Sequence, residues 1–245
     1  MLHNLFLSLR LKSLIAEDLM GMSLKGNILS LFLAVMLTIS TAAAQTPGFQ
    51  DEADIQSWND VQLTVPLTKQ FDFVTTATMR FGKNVTRLND ARYQIGFTYK
   101  PNDSVSITPL FWYIQARNTA GRFRVEHRLN LRAAYKFPTK SFGLSHRSIF
   151  EYRIRGTGNT WRYRPSLTFD KDIPDRIIPK AKLYITEEPF YDSAASKFSR
   201  NRVTVGITKT LSKQLSLDLY FMRQNDGLSR PGDLSVIGTS WKVKL

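Results

Sequence analysis

The chain has 245 residues, no cysteine and a formal net charge of +14. Its mean hydropathy of −0.23 excludes a bundle of membrane helices, and the missing cysteine excludes disulfide scaffolds, thiolate metal sites and cysteine nucleophiles. The basic balance points first toward nucleic acid or a charged surface, so the placement of the charges decides its meaning.

Residues 28–39 carry no charge and are too short to span a bilayer as a helix, which needs about 20 apolar residues. Lys25 precedes them, and Ala42-Ala43-Ala44 follows as a small-x-small cleavage site. Residues 1–44 are therefore predicted to be a cleaved signal peptide, with Met22 as an alternative start and cleavage after Ala44. Removal takes away Arg10, Lys12, Lys25, Glu17 and Asp18 and leaves +13, so the basicity belongs to an exported protein. Export argues against nucleic acid as a partner. A short segment, 45–54, then leads into the main domain, 55–245.

From residue 55 the pattern has period two. The clearest case is 123–137: Phe123, Val125, His127, Leu129, Leu131, Ala133, Tyr135 and Phe137 alternate with Arg124, Glu126, Arg128, Asn130, Arg132, Ala134 and Lys136. The alternation recurs over 71–81, 91–100, 142–155, 161–170, 181–188, 202–208, 215–224 and 234–245, and more weakly over 55–65 and 105–116. A soluble lipocalin-like barrel or sandwich would hide the apolar face. Aromatics gathered at strand ends and a continuous Arg/Glu face argue for the inverse arrangement. The expectation is an all-β, antiparallel up-and-down transmembrane β-barrel. Eleven segments are countable, even numbers are the bacterial rule, and twelve strands are preferred over ten. Connections are expected to alternate, with short ones (66–70, 101–103, 138–141, 210–214) on the periplasmic side and longer ones (82–90, 117–122, 156–160, 191–199, 225–233) outside, and with 171–180 as one long turn on the periplasmic side.

The polar face gathers Arg80, Arg92, Arg124, Glu126, Arg128, Arg132, Arg147, Glu151, Arg153, Arg155, Arg162, Arg164, Lys182, Glu188, Arg202 and Asp218 as candidate lumen-lining residues. Arginine binds carboxylates through a planar, always-charged fork. Two outcomes follow: a lumen filled by Arg–Glu pairs, or a cation surplus that selects a small anionic solute. A lipid-acting hydrolase is the contrasting class. His146 and Ser148 have the spacing of a base and nucleophile on one strand, with Asn159 downstream to orient the ring. Against it, Asn159 falls at the opposite end of the strand. No cofactor set and no metal set is read from the sequence; Asp51, Glu52 and Asp54 are taken as a solvated segment. Lys83, Arg87, Arg122, Lys197, Arg200 and Arg230 fall in predicted outer loops, placed to meet lipopolysaccharide phosphates.

The carboxyl end has Gly238, then Trp241, Val243 and Leu245 at alternate places. This resembles the terminal signal recognised by outer-membrane assembly machinery, with Leu245 where an aromatic residue is usual. Further stretches carry a wider resemblance: Trp58-Asn59-Asp60-Val61-Gln62-Leu63, Tyr163-Arg164-Pro165, Glu187-Glu188-Pro189-Phe190, and Phe198-Ser199-Arg200-Asn201-Arg202-Val203 with Val205-Gly206. They resemble the bacterial outer-membrane barrels grouped as domain of unknown function 2490. The resemblance implies an outer-membrane barrel and no established activity.

Overall fold

A computed structural model describes residues 53–245 apart from 119, 120 and 230. The predicted signal peptide, Asp51, Glu52 and Arg230 lie outside the described residues. Among the described residues eleven strands follow one another: β1 (Asp54–Pro66), β2 (Phe71–Gly82), β3 (Arg87–Tyr99), β4 (Val105–Arg117), β5 (Phe123–Lys136), β6 (Gly143–Arg155), β7 (Thr160–Ile173), β8 (Ala181–Asp192), β9 (Lys197–Thr210), β10 (Leu215–Asp226) and β11 (Leu234–Lys244). Each pairs antiparallel with its chain neighbour, and β1 pairs with β11 to close the barrel.

The closing pair is parallel, running from Asp54↔Leu234 to Thr64↔Lys244. With an odd number of up-and-down strands the first and last must point the same way, so closure has to be parallel. The preferred twelfth strand is therefore not needed to close the wall, and β1, a weak segment in the sequence, is a full member of it. One mouth of the barrel holds the start of β1; we call it the N-terminal mouth. The other holds the end of β11 and is called the C-terminal mouth.

The expected alternation of short and long connections is not found. Loops at both mouths run from four to seven residues. The discrepancy has a physical cause. Polar residues such as Asp90, Asp192, Arg200 and Asp226 resemble loop residues in the sequence, yet they continue the strands because their inward partners hold them there.

The side-chain parity is inverted relative to a soluble barrel. Leu129, in mid-strand on the outer face, is 52% exposed, whereas Glu151 on the inner face is 0% exposed. Aromatic pairs ring both ends of the outer wall. Phe71–Tyr99 (4.9 Å), Tyr135–Phe137 (4.9 Å) and Phe142–Phe169 (5.1 Å) lie toward the C-terminal mouth. Trp161–Tyr191 (5.4 Å) and Tyr191–Phe198 (5.5 Å) lie toward the other. Offset and edge contacts at these spacings are favourable, and amphipathic rings suit the two membrane–water boundaries.

Prolines interrupt the wall where they must. Proline has no N–H to give to a ladder. The β3–β4 register lapses between Gly96↔Leu110 and Tyr99↔Ile107, around Pro109. The β7–β8 register lapses between Tyr163↔Tyr191 and Leu167↔Glu187, around Pro165 and Pro189.

Candidate lumen site

The inward positions divide into two halves. Toward the N-terminal mouth they are packed. Glu126 accepts from Arg128 Nε (2.5 Å) and from Arg153 Nε and Nη2 (2.6 and 2.9 Å). Glu151 accepts from Arg164 Nη1 (2.6 Å) and, at the limit of bonding, from Arg128 Nη1 (3.5 Å). Glu188 takes Arg164 Nη2 (2.9 Å) and Arg147 Nη2 (2.8 Å), with Arg202 Nη1 at 3.8 Å. Asp192 takes Arg162 Nη2 (2.5 Å) and lies 3.8 Å from Arg153. One network thus runs across β5, β6, β7, β8 and β9, and Arg202 Nε carries it to Gln224 Oε1 on β10 (2.8 Å).

Apolar side chains fill the remaining space in that half. Phe190 is 1% exposed, with the guanidinium carbons of Arg164, Arg202, Arg200 and Arg162 at 4.5, 4.7, 5.3 and 5.7 Å from its ring centroid. Pro189 breaks the ladder beside it, in the stretch where the β7–β8 pairing lapses. Trp58, Met222, Leu234 and Val236 form a second cluster, and Arg80 lies 3.4 Å above the Trp58 ring. Cations over aromatic faces are stabilised by the ring quadrupole, the more so when water is excluded. Trp58 donates to Gln56 (2.8 Å), which donates to Asp54 (2.8 Å). Asp54 also accepts from the backbone N–H groups of Lys83 and Asn84, so it fixes the β2–β3 turn.

Toward the C-terminal mouth the inner face is open and more sparsely paired. Lys100 meets Asp72 (2.8 Å), Lys182 meets Asp170 (3.2 Å), and Lys242 meets Asp218. A cavity of about 380 Å³ is lined by Tyr184, Thr186, Thr208, Asp218 and neighbours. Another of about 540 Å³ reaches from Lys69, Lys100 and Lys136 at the rim to Thr98 and Ala134.

All sixteen candidate lumen residues have inward parity, but they do not act alike. Glu126, Arg128, Arg147, Glu151, Arg153, Arg162, Arg164, Glu188 and Arg202 form the network. Arg92 pairs with Asp90 (2.5 Å). Lys182 and Asp218 belong to the open half. Arg80, Arg124, Arg132 and Arg155 make no ion pair among the described residues. Sequence reasoning missed Asp90, Asp192, Arg200 and Asp226, because it assigned them to loops. Arg200 is a correction in particular: it pairs with Asp226 and stacks beside Phe190, so it does not extend from an outer loop. The missed signal was parity, since Arg200 and Asp192 share the phase of Arg202 and Glu188.

The three candidate catalytic residues are not brought together. His146 Nε2 and Ser148 Oγ share a hydrogen bond of 2.9 Å on the outer face. The second partner of Ser148 is Tyr163 Oη at 2.9 Å. Asn159 lies at the N-terminal mouth and donates to Tyr152 Oη (3.2 Å), while His146 lies near the C-terminal mouth. Of the carboxyl-terminal residues, Gly238 faces inward beneath the Tyr220 ring and Trp241 faces outward.

An apolar outer wall with aromatic belts around a charged interior defines a membrane-spanning β-barrel of outer-membrane type. Residues 55–233 match the family described as Protein of unknown function (DUF2490), and the chain belongs to that family. No curated protein matches it. Among solved structures it is similar to the NanC porin (9% identity, 78% of this chain, 99% of that chain, TM-score 0.49). It is also similar to the KdgM porin (13%, 71% and 92%, TM-score 0.39) and to an anion-selective porin from Comamonas acidovorans (15%, 74% and 54%, TM-score 0.36).

Proposed function

We propose that the protein is an outer-membrane barrel whose lumen is shut across one half by its own wall, with a vestibule open at the C-terminal mouth toward the periplasm. The observation that carries this reading is Glu151, a carboxylate at mid-lumen that water does not reach. In an open, water-filled bore an inward carboxylate would be hydrated. Here it is enclosed by arginines, with Phe190 closing the same layer.

A second reading, an anion-preferring passage, is favoured by the inward arginines that lack a carboxylate. Openings of the network would expose Arg80, Arg132 and Arg155 and set a positive potential along the path. Planar-bilayer recording under a salt gradient separates the two. Wild-type protein is expected to show no steady ohmic current. Phe190→Ala removes the ring beside four guanidinium groups and is expected to give frequent openings that reverse on the anion side. A large steady wild-type current contradicts the closed lumen, and cation-selective openings contradict the anion path.

The reading weighs against a lipid hydrolase, because Asn159, the side chain expected to orient the His146 ring, bonds Tyr152 at the other mouth. Equal release of fatty acid from mixed micelles by wild type and Ser148→Ala is expected; a drop to background in the variant would restore the enzyme class. Exposed Lys83, Arg87, Arg122 and Lys197 at the N-terminal mouth suit lipopolysaccharide phosphates. Strand β11, with Gly238, Trp241, Val243 and Leu245, suits the assembly machinery.

A further inference from the structure

At the boundary between the packed half and the vestibule, three side chains on β5 and β6 are left with unused hydrogen-bonding capacity. Asn130 is 4% exposed, yet among the described residues neither its amide nitrogen nor its amide oxygen has a partner. The next inward residue, Arg132, has an Nε without an acceptor and makes no ion pair among the described residues. Arg147 sits on the neighbouring strand, opposite Ala134, and is therefore a diagonal neighbour of Arg132. Long side chains reach one another across that spacing. Glu188 holds Arg147 by Nη2, while the Arg147 Nε has no acceptor among the described residues and the Arg147 side chain is 37% exposed.

Among the described residues the nearby carboxylates meet Nη2 of Arg147 and none of the unpartnered atoms. Glu151, which stands opposite Asn130 in the register, is committed to Arg164 and Arg128, and Glu188 to Arg164, Arg147 and Arg202. Buried polar groups are normally bonded, so unused ones on adjacent strands describe a missing partner. The partner must accept from two guanidinium groups and meet an amide. Ala134, the next inward residue after Arg132, lines the roughly 540 Å³ cavity, whose rim carries Lys69 and Lys136, Lys100 paired with Asp72, and one carboxylate, Asp103. Cations at a concave mouth concentrate anions ahead of binding.

We propose that Arg132, Arg147 and Asn130 form a binding site for the carboxylate or phosphate group of a small solute that enters from the C-terminal mouth. Two planar forks suit an oxyanion better than a halide, because each can give parallel N–H groups to two oxygens. Such a site goes beyond the closed-lumen reading, since it fills the vestibule whether or not the barrel conducts.

The test is isothermal titration calorimetry on refolded full-length protein in neutral detergent, with sodium gluconate and with inorganic phosphate as probes and glucose as the uncharged control. Saturable binding of at least one anion and none of glucose is expected. Arg132→Gln should weaken it at least tenfold, whereas Arg124→Gln, exposed at the far mouth, should bind as wild type does. Heat-modifiable gel migration reports folding of each variant. If Arg132→Gln does not fold, Arg132→Lys decides, because it keeps the charge and loses the fork; at least a threefold weakening is expected. No saturable binding of either anion, or unchanged affinity in the folded Arg132 variant, overturns the site. Bilayer recordings test the closed lumen separately, so the two readings can fail independently.

Discussion

Glu151→Gln is expected to lower the unfolding free energy of the refolded barrel by about 3 kcal/mol. Breaking a buried ion pair from one side costs about 3–5 kcal/mol, because a charge stays behind in a low-dielectric place. The lower figure applies because Arg164 keeps Glu188 and Arg128 keeps Glu126. Arg147→Gln is the matched comparison. Its side chain is well exposed to the vestibule, so its pair with Glu188 should contribute no more than about 1 kcal/mol. Denaturant midpoints of reversible unfolding in detergent check both. Equal losses in the two variants would contradict the division of the lumen into a dry half and a wet half. Added salt gives a further handle. At about 1 M the screening length falls to roughly 3 Å, which should erase the Arg147 contribution and leave that of Glu151.

The second large effect is expected at the wall glycines. A Cβ at Gly96 would lie 2.2 Å from the carbonyl oxygen of Pro109, and one at Gly238 would lie 2.0 Å from Cζ of Tyr220. Both clashes require movement, but they differ in what has to move. At Gly96 the obstacle is the backbone of the adjacent strand, where Pro109 has already interrupted the ladder. At Gly238 it is a ring packed on the Trp58, Met222, Leu234 and Val236 cluster. Overpacking costs about 1–3 kcal/mol when side chains can shift and more when they cannot. Gly96→Val is therefore expected to cost more than about 3 kcal/mol or to prevent assembly, read as loss of the heat-modifiable band. Gly238→Val should be less severe and should be partly rescued by Tyr220→Ala. No side-chain truncation next to Gly96 should rescue Gly96→Val. Rescue of neither or of both would contradict this account.

Much of the wall was legible in the chain because period two is a local property. The run from Phe123 to Phe137 states its own two faces, and one buried parity fixes the register of the neighbouring strands. Strand ends were less legible. Asp90, Asp192, Arg200 and Asp226 have the composition of loop residues, and only their partners on adjacent strands make them part of the lumen. The same holds for closure, since nothing local to β1 or β11 states that Asp54 will lie beside Leu234.

The site shows this division most clearly. Alternation alone placed Arg128, Arg132, Glu151 and Arg164 on one face and made that face rich in arginine. It also turned the excess of basic residues away from nucleic acid and onto the inner face of a barrel. Which arginines are neutralised depends on contacts that skip a strand across the lumen, as in Arg147 on β6 with Glu188 on β8 and Arg153 on β6 with Asp192 on β8. The inward turn of Phe190 and the unused groups of Asn130 and Arg132 depend on the same contacts. Side-chain parity is set by the backbone pleat, one residue at a time, and so can be read from sequence. Pairing inside a closed lumen is set by barrel curvature and register across several strands, and only the tertiary structure decides it.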